Sequence, residues 1–345
     1  MKNDGCLTRL PGVLLPWYER NRRDLPWRRD REPYHVWLSE IMLQQTRVEA
    51  VKGYYARFLE ALPTVADLAA CPDDRLNKLW EGLGYYRRAA NLKKAAGVIQ
   101  TTWGGVFPTD YEQVLALPGI GAYTAGAICS IAFGQKTPAV DGNVLRVVTR
   151  LTEDLTPIDR PAFQKQVRES LAAVYPREAG AFTQALMELG ATLCGPNWEP
   201  RCEECPCRDF CGGALHGTAR NFPVKPEKKA KRQEEKTVLI VSCDGRLALE
   251  KRPDGGLLAG LWQFPNVPGR LEAPQALAAA EAMGLHPRQL YYTVERTHIF
   301  THIVWKMRGV YLEAAAPEGK FQWKTPEEIQ AESALPTAFR QFLPG

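Results

Sequence analysis

The chain has 345 residues, with 44 Lys+Arg against 39 Asp+Glu for a formal net charge of +5, and 45% of it is hydrophobic, including nine Trp. One compact core does not grow to this length, so two domains are expected, and a charged fraction of 24% with this aromatic content excludes a disordered or fibrous chain. No run approaches the roughly 18 apolar residues of a membrane span, and the first twelve residues carry Asp4 and no apolar stretch of the kind that marks secretion. The expectation is a cytoplasmic protein with no membrane partner. Nine cysteines in that compartment stay reduced, so the five between Cys194 and Cys211 read as a metal site rather than a disulfide framework.

Taken in chain order, apolar residues at helical spacing predict helices over Tyr34–Leu62, Pro72–Gln100, Tyr111–Phe133, Gly142–Leu151, Pro161–Tyr175 and Gly180–Cys194. Strand-like alternation is scarce, so residues 1–216 form an all-α domain. Residues 217–236 read as an extended basic linker, since from Thr218 onward there are seven Lys/Arg against three Glu, with Pro223 and Pro226 inside. From 237 to 345 short β-rich runs follow, Thr237–Ser242, Leu247–Lys251 and Leu290–Leu312, with a helical segment at Pro274–Met283. They predict a small α+β domain.

Within the helical part, Leu117-Pro118-Gly119-Ile120-Gly121 places two glycines around one apolar residue just ahead of a helix. Backbone N–H groups of such a hairpin can face a phosphate. Asp141, in Val140-Asp141-Gly142-Asn143, stands where an N-cap would. Held ionised by helix N–H groups, it would face a sugar on which positive charge develops. Glu40 stands in an otherwise apolar helical run, Trp37 to Leu43, where desolvation would raise its pKa and suit a general acid. Two carboxylates in opposed environments are what cleavage of a glycosidic bond needs. The cysteines at 194, 202, 205 and 211, with Cys207 as an extra, form one C-x2-C pair and two outlying thiols. Zinc and an iron–sulfur cluster both remain open on this spacing, which favours iron–sulfur.

In this order the motifs resemble the helix-hairpin-helix DNA glycosylase superfamily that includes endonuclease III. Asp24-Leu25-Pro26-Trp27-Arg28, Ser39-Glu40 through Gln44-Gln45-Thr46, Trp80-Glu81-Gly82-Leu83-Gly84-Tyr85-Tyr86 and Arg252-Pro253 through Gly256-Leu257-Leu258-Ala259-Gly260-Leu261-Trp262-Gln263-Phe264-Pro265 resemble its adenine DNA glycosylases of MutY type, over nearly the whole chain. The resemblance implies a multidomain fold, an all-α helix-hairpin-helix glycosylase domain with an iron–sulfur cluster loop at 194–211, then a small α+β Nudix-like domain. It implies one 4Fe-4S cluster on Cys194, Cys202, Cys205 and Cys211, although the family has six residues between the first two cysteines and here there are seven.

The same resemblance assigns the general acid to Glu40, the cation-stabilising carboxylate to Asp141, an orienting role to Asn143 and the adenine pocket to Arg28 and Gln184. Tyr123 stands where bifunctional relatives carry a lysine, so no Schiff base can form. Gln45 and Tyr85 match the wedge that enters the stack as the base is flipped. Leu117, Gly119 and Gly121, the cluster loop and basic residues such as Arg146 are expected on the DNA backbone. Phe300-Thr301-His302 falls at the family's Phe-Ser-His loop, which touches the damaged guanine, with Thr in place of Ser. A Nudix hydrolase carries an Arg-Glu-x-x-Glu-Glu run, absent between Lys236 and Gly345, so nucleotide hydrolysis is not expected. The implied activity is a monofunctional glycosylase acting, as a monomer, on adenine opposite 8-oxoguanine or guanine in double-stranded DNA. A catalytically inactive lesion-binding protein and a bifunctional pyrimidine glycosylase/lyase are the competing readings.

Overall fold

The structure, a computed structural model, describes residues 4–226, 230–317 and 319–344. Its contacts divide the chain into two compact units, residues 4–70 with 91–226 and residues 71–90 with 230–344. Part of the expected basic linker, residues 227–229, lies outside the described residues.

The first unit is helical. It contains α1 (Leu10–Asn21), α2 (Pro33–Met42), α3 (Val48–Ala61) and α4 (Val65–Ala70); α5 (Asp73–Leu79) belongs to the second unit, and α6 (Arg87–Trp103) begins there. The first unit continues with α7 (Tyr111–Leu115), α8 (Ala122–Phe133), α9 (Gly142–Thr152), α10 (Pro161–Ala172), α11 (Ala179–Thr192) and α12 (Gly212–Leu215). The sequence reading missed α1, whose apolar spacing is interrupted by Pro16. It also ran α2 into α3, which are separated at residues 43–47, where Gln45 turns left-handed with φ 58°. The predicted helix over 72–100 breaks likewise at Gly82, Gly84 and Tyr85, all with positive φ.

Helix α8, AYTAGAICSIAF, is apolar on every side, as a buried helix must be. It packs against α2 and α11, and α11 in turn against α1 and α9. Two glycines permit these approaches. A Cβ on Gly126 of α8 would stand 2.4 Å from the Pro138 carbonyl oxygen, and one on Gly180 of α11 would stand 2.9 Å from that of Ser130. Leu10, Leu14, Val144, Val148, Phe163, Phe182 and Leu186 fill one continuous core.

The second unit is built on a seven-stranded sheet, β1 (Arg232–Cys243), β2 (Arg246–Lys251), β3 (Trp262–Gln263), β4 (Asn266–Pro268), β5 (Pro287–Ile299), β6 (Ile303–Ala314) and β7 (Gln322–Lys324). Its order is β3-β2-β1-β6-β5, with β4 on β1 and β7 on β2. Strands β1 and β6 run parallel from Arg232↔Ile303 to Ser242↔Glu313, and β5 and β6 form the antiparallel hairpin that the sequence showed as a single β-rich stretch. Helices α13 (Ala273–Ala282), α14 (Pro326–Glu332) and α15 (Thr337–Arg340) complete it. Alternation along β1 serves two cores, since Val238 and Ile240 meet Phe339 and Phe342 on one face while Leu239 and Val241 meet Ala276 and Ala280 on the other. A central strand covered on both faces therefore reads as a continuous apolar run. The strand begins at Arg232, inside the segment expected to be a linker, because its first residues are charged and largely exposed.

Candidate active site

The turn between α7 and α8 is built as its residues require. Leu117 and Ile120 are buried, Gly119 and Gly121 are exposed, and the Ile120 N–H closes onto the Leu117 carbonyl at 3.1 Å. Gly119 has φ 78°, and a Cβ there would stand 2.6 Å from that of Asn91. No other residue fits without strain. Gly121 caps α8, which places Tyr123 in its first turn.

Tyr123 donates its hydroxyl to Glu40 Oε2 at 2.5 Å. Glu40 projects from α2 between Trp37 and Ile41, both buried, and is itself only 6% exposed. Burial pushes its carboxyl up to about 7, the charge of Asp141 adds to the rise, and the Tyr123 hydroxyl and Arg28 oppose it. Burial likewise holds the Tyr123 hydroxyl well above the ordinary tyrosine range, so it remains a donor.

Asp141 caps α9. Its Oδ1 accepts the Val144 N–H at 2.8 Å and its Oδ2 accepts Asn143 Nδ2 at 2.7 Å. The expected donors are in place, and burial works against them, so that the Asp141 carboxyl sits above its ordinary value. Asn143 is fixed in turn, its Oδ1 accepting Arg146 Nη2 at 2.8 Å. Arg146 also donates to the Gly190 and Cys194 carbonyls, each at 2.8 Å. It is 5% exposed, so the expected DNA contact at Arg146 gives way to a buried strut between the cysteine loop and Asp141.

Glu40, Tyr123, Asp141 and Asn143 line one cavity of about 580 Å³ together with Arg28, Gln45 and Gln184, a volume typical of small-molecule sites. Gln45 stands exposed at its rim. Gln184 Oε1 accepts the Tyr18 hydroxyl at 3.0 Å. Sequence reasoning missed Glu188, which lines the same cavity and is fully buried. Its Oε1 accepts Arg23 Nε at 2.7 Å and its Oε2 accepts Arg28 Nη2 at 2.7 Å. Both arginines hold its carboxyl below the usual range against the effect of burial. A signal was present, since Glu188 is the lone carboxylate of an apolar helix, as Glu40 is in α2.

The cysteine loop follows α11. Cys207 and Cys211 belong to the helical core, and Cys194 and Cys205 pack against it. The thiols of Cys194, Cys202, Cys205 and Cys211 lie within electrostatic reach of one another, yet among the described residues no three metal-ligating side chains converge as a single ion requires. The set is all sulfur, and Arg150 Nη1 donates to Cys194 Sγ at 3.2 Å, which favours a thiolate. That chemistry fits an iron–sulfur cluster, which four thiolates would hold as ligands of different irons, better than a lone ion. Between Cys194 and Cys202 the Trp198 indole lies on Gly195, whose Cβ would fall 2.0 Å from Cζ2.

The remaining candidates belong to the second unit. Tyr85, held at φ 48°, places its hydroxyl 2.5 Å from Thr301 Oγ1. Thr301 and His302 are exposed at the β5–β6 turn, while Phe300 packs edge-on to Trp305 at 4.8 Å. Lys231 Nζ donates to the Phe300 carbonyl at 2.8 Å and the Arg232 N–H to that of His302 at 3.0 Å, fixing the turn.

Comparison with known proteins agrees with this layout. Residues 38–172 match the HhH-GPD superfamily of base excision DNA repair proteins, and residues 236–344 match the NUDIX domain. The chain is 35% identical to the adenine DNA glycosylase of Homo sapiens, over 98% of this chain and 74% of that one. To the Mus musculus adenine DNA glycosylase it is also 35% identical, over 96% and 76%. Among solved structures it is similar to a thermostable thymine-DNA glycosylase, with TM-score 0.57 and 29% identity over 63% of this chain and all of that one.

Proposed function

The chain belongs to the adenine DNA glycosylase family, and we propose that it excises adenine paired with 8-oxoguanine or guanine in duplex DNA, as a monofunctional, monomeric, cytoplasmic enzyme that leaves an abasic site. The observation that carries this reading is the pair of carboxylates, buried Glu40 and half-buried Asp141, on one cavity with the Tyr123 hydroxyl and with no lysine in its lining. A base extruded from the stack meets Glu40 as the proton donor. With its carboxyl near 7, Glu40 is half protonated at neutral pH and protonates adenine, which departs as a neutral base. Asp141, oriented by Val144 N–H and Asn143, faces the cation left on the sugar or bonds to it transiently, and water completes hydrolysis. Without an amine at position 123 no Schiff base forms, so the strand is not cut.

Cys194, Cys202, Cys205 and Cys211 would hold a 4Fe-4S cluster, which when bound supplies a rigid anchor for its loop and no electron to the reaction. Arg146 carries that rigidity to Asn143 through the Cys194 carbonyl. Gln45 and Tyr85, both in strained left-handed conformations, serve as the wedge. The Phe300-Thr301-His302 turn, reached by the Tyr85 hydroxyl, serves as the lesion contact. The glycines of the α7–α8 hairpin, exposed on the surface, meet phosphate.

The test is single-turnover adenine release from a duplex with one adenine opposite 8-oxoguanine, comparing the natural protein with Glu40→Gln. Release by the first and almost none by the second, with DNA binding retained, is expected; no release by either would overturn the reading. Borohydride should trap no covalent complex.

A further inference from the structure

Glu188 is the third carboxylate of the cavity, and no step above uses it. All its acceptor capacity goes to two arginines, Oε1 to Arg23 N at 3.1 Å and Nε at 2.7 Å, Oε2 to Arg23 Nη2 at 2.9 Å and Arg28 Nη2 at 2.7 Å. The other Arg28 amino group donates to the Arg23 carbonyl at 3.4 Å. Neither Arg28 hydrogen bond goes to Glu40, although Arg28 and Glu40 line the same cavity.

Charge makes this arrangement consequential. Two arginines on one carboxylate leave a positive charge over, and an arginine near a buried carboxyl favours its ionised form. A guanidinium released from Glu188 would act more strongly on Glu40, which it already reaches electrostatically on the same cavity wall, and favour loss of the proton that the reaction needs. The groups facing Glu40 are Tyr123 from α8, Asp141 ahead of α9 and Arg28 from the short helix Pro26–Arg28, with Glu188 and Arg23 behind Arg28. We infer that Glu188 is a positioning residue which, by tying the Arg28 guanidinium back onto α11, keeps Glu40 in its acid form while Arg28 faces the purine. The inference rests on the excision reading above.

The experiment measures single-turnover adenine release from pH 5.5 to 9 for the full-length natural protein, Glu188→Gln, Arg28→Met and the double variant. Alongside it, the carboxylic-acid C=O band of Glu40 is titrated by infrared difference against Glu40→Gln, a readout that needs no turnover. In Glu188→Gln the alkaline fall in rate and the loss of the C=O band should move down by about one pH unit. In the double variant both should return, since no guanidinium remains to pair with Glu40. A uniform rate loss at every pH with an unmoved C=O midpoint, or a shift that persists without Arg28, would overturn the inference. Should Glu188→Gln not fold, as melting and cluster absorbance would show, Glu188→Asp carries the same test with a smaller shift. If the natural protein releases no adenine, the excision reading fails, and the infrared midpoints still decide between the two outcomes for Glu188.

Discussion

The Tyr123 hydroxyl sets a pH dependence that can be worked from its geometry. It donates to Glu40 Oε2 at 2.5 Å, and a bond to the ionised oxygen holds the carboxyl lower than burial alone would, at about 7. Excision through protonated Glu40 should be level in mild acid and fall tenfold per unit in alkali, a loss of about fifty-fold between pH 7 and pH 9. Tyr123→Phe removes the donor and keeps the ring, so the midpoint of that fall should rise by about half to one unit. Single-turnover rates with enzyme in excess over an 8-oxoguanine:adenine duplex measure it, each variant normalised to its own plateau so that binding and product release drop out. A rate independent of pH from 6 to 9 would remove Glu40 as the acid. A midpoint in Tyr123→Phe that stays or falls would show that the hydroxyl does not stabilise the carboxylate.

The same carboxyl weakens the fold. Lifted from 4.5 to about 7, it costs nothing below pH 4.5, where folded and unfolded chains are both protonated; the penalty grows as pH rises and reaches about 3 kcal/mol above pH 7, so Glu40→Gln should raise the melting temperature at pH 8 and not at pH 4.5. Gly126→Ala would push a methyl against the Pro138 carbonyl, destabilise by about 1–3 kcal/mol and displace the approach to Asp141, which melting and single-turnover release with unchanged DNA affinity would show. For the cysteine loop, Cys211→Ser should abolish thiolate-to-iron absorption while Cys207→Leu, filling a core position, should keep it.

What the sequence made legible was local. Asp141 as an N-cap, the glycine hairpin and a lone Glu in an apolar run each depend on a few neighbours, and the structure places Asp141 and that Glu on one cavity. Glu188 escaped because its meaning lies in Arg23 and Arg28, more than 150 residues away. The burial that opposes the Asp141 cap escaped because caps are visible in sequence and burial is not. Arg146 read as a surface cation because nothing local says that three acceptors surround it. The start of β1 was hidden by its charge: hydrophobic alternation reports strands only where one face is covered, and the first residues of this one are not.

The parallel pairing of β1 with β6 carries a consequence for synthesis. Strand β1 finds its partner about seventy residues later in the chain, which at about 5–20 residues per second is a wait of roughly four to fourteen seconds on the ribosome. Throughout it, Val238-Leu239-Ile240-Val241, destined to be covered on both faces, has β2 and β4 to pair with on one edge while the edge that takes β6 stays open, and its apolar, uncharged composition is the kind that self-associates readily. A nascent chain halted before Ile303 would hold that edge unpaired, an open template for pairing with another chain.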